Sequence, residues 1–160
     1  MTQQTIAGRM MPGRAGVRAG SQPEVAVRLV GALLALAVAA AHVADQGGIT
    51  ALASPGWIGW GYRLIEAGGV LTALALLCPR PAWPGLAGLG WAAGVLLGAG
   101  PFAAYIASRT VGVPGDRGDV GNWGYWLGTV SLLVEAALVM LGTGMLLALR
   151  QRSPSAGSRP

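Results

Sequence analysis

Six side chains in this otherwise apolar sequence could hold or move charge: His42, Arg63, Glu66, Tyr105, Arg109 and Glu135. Carboxylates accept hydrogen bonds, a guanidinium donates through a rigid fork, a phenol does both, and an imidazole carries a proton or ligates a metal. Together they could line a polar pocket for a small ligand, a proton or a cation. The bland alternative is that two Glu and two Arg in one layer neutralise each other and only hold helices in register. Ser108 and Ser131 have no His or Lys at motif spacing, so no serine nucleophile is indicated. Asp116 and Asp119 lack the ordered series of oxygen ligands and the closing bidentate Glu of a calcium loop, and read as a solvated turn. One histidine and one cysteine, Cys78, exclude an intramolecular disulfide and a cysteine metal cluster. A haem or quinone redox subunit built on His42 is the weakest functional reading. The sequence leaves cofactor and metal unknown.

The elements that must position these groups are four long apolar blocks, at about 25–44, 57–78, 83–108 and 123–149, separated by clusters of Pro, Gly, Asp and Arg. With 160 residues, 53% hydrophobic and 11% charged, the chain is too apolar for an ordinary soluble domain and long enough for one bundle. Each block can cross about 30 Å of hydrocarbon at 1.5 Å per residue. The expected fold is all-α, a four-transmembrane-helix bundle, with residues 1–24 and 150–160 as disordered tails, the first of them basic. Arg28, the apolar run after it and Ala39-Ala40-Ala41 would also pass as a signal peptide cleaved near His42, but the preceding polar region is unusually long for one. Arg28 itself, one turn inside the first span, is expected to snorkel to the headgroups.

Every basic residue is arginine. Arg9, Arg14, Arg18, Arg28, Arg80, Arg150, Arg152 and Arg159 fall on one side of the spans, against Arg63, Arg109 and Arg117 on the other, which puts both termini in the cytoplasm. Trp57, Trp60, Trp123 and Trp126 then mark the outer interface and Trp83 the inner one. Nucleic acid is not an expected partner, because the net charge of +5 sits mostly in the tails without interleaved aromatics. The expected partners are the lipid bilayer and either further copies of the chain or a larger membrane complex.

Periodicity assigns faces. Gly90, Gly94 and Gly98 form a close-packing stripe that continues to Tyr105 and Arg109. Glu135 shares its face with Gly128, Ser131 and Gly142, Glu66 with Tyr62, Arg63 and Gly69, and His42 with Gly31 and Ala35. The polar groups gather in the outer half: Glu66 falls roughly 13 Å below Trp57 and Glu135 roughly 18 Å below Trp123, near the midplane. An unpaired carboxylate there is costly, so Glu135 is expected to pair with Arg63 or Arg109 or to carry a proton.

The stretch Tyr105-Ile106-Ala107-Ser108-Arg109-Thr110-Val111-Gly112-Val113-Pro114-Gly115, followed by Trp123 and by Gly128-Thr129-Val130-Ser131-Leu132-Leu133-Val134-Glu135, resembles a pattern in small, uncharacterised multi-pass membrane proteins of actinobacteria. The resemblance covers mainly the third and fourth spans. It implies a bacterial plasma-membrane setting and draws attention to Arg109 and Glu135 without assigning them a role.

Overall fold

The computed structural model describes residues 22–49, 56–78 and 85–152. They form four helices: α1 (Gln22–Asp45), α2 (Gly56–Leu77), α3 (Leu86–Thr110) and α4 (Trp126–Arg152). Trp83, Arg80 and most of both expected tails lie outside the described residues. The helices are longer at the chain ends than the apolar pattern alone implies. α1 starts at Gln22, inside the expected tail, where Pro23 is tolerated in a first turn and Glu24 complements the helix dipole. α4 starts three residues late, after Gly124 and Tyr125, and continues to Arg152, with Arg150 and Arg152 placed favourably in the last turn.

Neighbours in sequence are neighbours around the bundle: α1 packs on α2, α2 on α3, α3 on α4 and α4 on α1, with α1 and α3 touching across the shorter diagonal. The C-termini of α1 and α3 and the N-termini of α2 and α4 therefore share one end. Where the helices meet, small residues set the spacing. A Cβ on Gly69 would stand 2.6 Å from the Ala35 carbonyl oxygen, and one on Gly98 would stand 2.7 Å from the Glu135 carbonyl oxygen. Between these close approaches lies a thin core of Ala32, Ala35, Val38, Ala73, Leu76, Leu97 and Leu138 around Trp91, whose indole is 1% exposed.

The outer surface is apolar instead of charged, with Leu33, Leu64, Leu71, Leu96, Leu133 and Met140 all pointing outward. In water, such a surface would be an aggregation site; in a bilayer it is the required lipid face. α1, α4 and Gly88–Thr110 of α3 are long and apolar enough to cross a membrane. α2 falls outside that set, since Arg63, Glu66 and its glycines dilute its apolar content. The molecule is a transmembrane helical bundle.

Arg28 is turned to the end of α2. Its Nε donates to the Leu76 carbonyl at 2.6 Å and its terminal nitrogen to the Cys78 carbonyl. The last carbonyls of a helix lack intrahelical partners and carry partial negative charge, so a guanidinium beside them is worth more than one in water.

Candidate functional site

At the shared end, the last turns of α1 and α3 and the first turns of α2 and α4 enclose a cavity of about 420 Å³, roofed by the segment between α3 and α4. That segment is folded back over the bundle. Gly121 N–H donates to the Arg109 carbonyl at 2.9 Å, and Trp57 Nε1 donates to the Pro114 carbonyl at 3.1 Å. Four of the six residues singled out from sequence meet in this cavity: His42, Tyr105, Arg109 and Glu135. Arg63 and Glu66 do not line it.

Glu135 forms the polar floor. Its side chain is almost fully buried, and Ser131, one turn earlier on α4, donates to Oε1 at 2.6 Å. Its other oxygen, Oε2, is buried without a hydrogen-bond partner. Neither candidate arginine reaches Glu135: Arg63 pairs with Glu66 at 2.7 Å, and Arg109 pairs with Asp119. The nearest ionisable neighbour is His42, with Nε2 3.9 Å from Oε1, beyond hydrogen-bond reach. His42 Nδ1 lies 2.9 Å from the Val38 carbonyl, which can only accept, so Nδ1 carries a proton and Nε2 faces the carboxyl group. Because α4 begins at Trp126, Glu135 lies nine residues, roughly 13 Å, into a helix of roughly 40 Å.

The α3 wall is Tyr105 and Arg109, one turn apart. The guanidinium lies over the Tyr105 ring at 4.6 Å from its centroid, which binds it through the ring quadrupole. Arg109 is 5% exposed, and its Nε, like the Tyr105 hydroxyl, has no hydrogen-bond partner. Gly128 makes room for that hydroxyl, since a Cβ there would collide with the Tyr105 ring. Asp119 closes the wall from above, and the Arg109 hydrogen bond holds its carboxyl below its ordinary 3.8.

Asp45 closes the α1 side of the mouth and was not singled out from sequence. It accepts from the Tyr62 hydroxyl of α2 and, at 2.5 Å, from the Tyr125 hydroxyl just before α4. One carboxylate thus ties three elements. The bond to Asp45, followed by burial, pushes the Tyr125 phenol up to about 12. Asp45 follows His42 by three residues and so shares its helix face, a spacing that could have revealed it. Tyr125 was masked by the surrounding tryptophans of the aromatic belt. Asp119 gave no signal, because its partner depends on how the loop folds back.

Glu66 sits in a separate network. It accepts from Gln46 at 2.6 Å and from Arg63, linking the end of α1 to α2 with both carboxylate oxygens used. No cluster of three or more His, Cys, Asp or Glu suited to a metal ion occurs among the described residues. No family model, curated protein or solved structure matches this chain.

Proposed function

We propose that the protein is a non-enzymatic, multi-pass protein of a bacterial plasma membrane that binds a small ligand, proton or cation in its outer-half cavity. It acts there as a sensor or as an accessory subunit of a larger complex, with both termini cytoplasmic. The observation that carries the reading is the buried, partnerless Oε2 of Glu135 on a cavity of about 420 Å³. Leaving a buried polar group unsatisfied costs about 1–3 kcal/mol, more for a charged one, and an incoming ligand group would recover that cost. Tyr105 and Arg109 line the same cavity, and each also holds a buried polar atom without a hydrogen-bond partner.

The purely structural reading fits Arg63 and Glu66 well, since both are paired within their own network. It fits Glu135 poorly, because no cation bonds it. Arginine asymmetry and the even number of helices support the orientation, and an Ala-, Gly- and Arg-rich chain without lysine suits a high-GC bacterium.

Glu135→Gln separates the readings. As a near-isostere that breaks no arginine pair, it should change thermal stability by less than about 1 kcal/mol. Native mass spectrometry from lipid nanodiscs should show a small molecule retained by the wild type and lost from the variant. A wild type that retains nothing, together with a strongly destabilised variant, makes Glu135 a structural strut.

A further inference from the structure

Beside the polar cavity runs a second, apolar one: a groove between α2 and α3 of about 700 Å³, walled by residues such as Leu64, Leu71, Leu89 and Leu96. The two are adjacent. Gly61, Ile65, Pro101 and Ala104 line both, so only these four residues, at the α2–α3 seam, stand between the polar cavity and the groove on the lipid face. The seam is open beside two glycines. A Cβ on Gly61 or Gly100 would meet no heavy atom within 4 Å, so packing does not demand glycine at either position. Of the tight glycines of α3, Gly98 faces α4, and Gly90 meets Leu76 and Ala75 of α2 in the part of the groove farther from the polar cavity.

The head end has its own chemistry. Asp45 is taken by two tyrosine hydroxyls, and Asp119 by Arg109. The open groups are Glu135 Oε2, which accepts when the carboxyl is ionised and can donate when it is protonated, and Arg109 Nε, which needs an acceptor; the Tyr105 hydroxyl can serve either way. Four carboxyl groups, Asp45, Asp116, Asp119 and Glu135, line the space against one guanidinium, so an anionic head is repelled. A simple ammonium would satisfy Glu135 and leave Arg109 Nε unmet.

Building on the proposed ligand-binding role, we infer that the ligand is a neutral, single-tailed amphiphile that enters from the bilayer between α2 and α3. Its head carries a hydroxyl for Glu135 and an acceptor oxygen for Arg109 and Tyr105, and its hydrocarbon tail lies in the groove. A hydroxyl-bearing ring such as a hydroquinone and a monoacylglycerol head share this chemistry.

The test measures apparent affinity by native mass spectrometry of the full chain in phosphatidylcholine nanodiscs. Decylhydroquinone and 1-decanoylglycerol are the tailed probes, decanoate the anionic control, and hydroquinone and 1-acetylglycerol the tailless heads. At least one tailed neutral probe should bind, and which one binds identifies the head. Gly100→Leu fills the groove away from the polar groups and should weaken that probe by at least about tenfold while leaving its tailless head unchanged. Ala93→Leu, which lines the groove and not the polar cavity, serves if the first variant does not fold. Decanoate binding as tightly as the neutral probes overturns the inference. So does binding that neither leucine alters, or a Gly100→Leu variant that changes only the subunit count, which would make the groove an interface between copies. If no tailed probe binds while the wild type still retains a molecule dependent on Glu135, this inference fails and the cavity's ligand-binding role stands.

Discussion

At the scale of single residues, each ionisable group is defined by the partner it found. Glu66 has both oxygens occupied and Glu135 has one, so two carboxylates on neighbouring helices differ in what they can still do. The Arg109–Asp119 pair gives a pH signature. Arg109 lowers the Asp119 carboxyl in the folded state below its ordinary 3.8, so the stabilisation is fully present above the unfolded value. It is lost as pH falls through the lower folded value. Melting temperature followed downward from pH 6 should therefore drop less in Asp119→Asn than in the wild type. Identical acid profiles would show that the pair contributes nothing to stability. Tyr125 has the opposite sign: its phenol, pushed up to about 12, contributes stability below about pH 10 that is lost as pH rises toward 12.

At the scale of elements, glycine spacing predicts close packing along α3, and the structure distinguishes positions within that stripe. A Cβ on Gly98 would press on the α4 backbone at Glu135 and on Val139, whereas one on Gly94 would meet Leu138 at an ordinary 3.4 Å. Gly98→Ala should destabilise the bundle by about 1–3 kcal/mol, because two helices must separate to admit a methyl group. Gly94→Ala should be close to neutral and gain a little helix propensity. Thermal unfolding in one detergent checks the order, and equal losses would mean that α3 and α4 do not approach as closely as described. Gly98 is also the link between packing and site, since displacing α4 there moves Glu135.

For the whole molecule, the shared end of the bundle is expected to face outward, with both termini inside. Reporter fusions after Ser153 and within Gly47–Gly48 should give opposite signals. Equal signals would mean an odd number of crossings, and α2, the helix diluted by Arg63 and Glu66, would be the one to reconsider. The exposed leucines on all four helices suit the even count, because a helix kept out of lipid has no reason to point Leu64, Leu71 and Leu74 away from the core.

The sequence by itself determined the solvent, the helices and the helix faces. Apolar runs longer than a bilayer is thick leave no other fold for the backbone, since unpaired amides are intolerable in lipid. Helical periodicity placed His42, Tyr105, Arg109 and Glu135 on the small-residue faces that line the cavity. Only the tertiary structure decided who pairs with whom. Arg63 took Glu66 three residues away, Arg28 capped the end of α2, and the 111–125 loop brought Asp119 to Arg109. The three-residue spacing of Arg63 and Glu66 leaves a periodic trace in the chain. The last two pairings depend on a few ångströms of helix register or on a loop path, and neither leaves one. The same holds for Asp45, whose two tyrosines lie 17 and 80 residues away, and for the open oxygen of Glu135, whose two candidate arginines pair elsewhere.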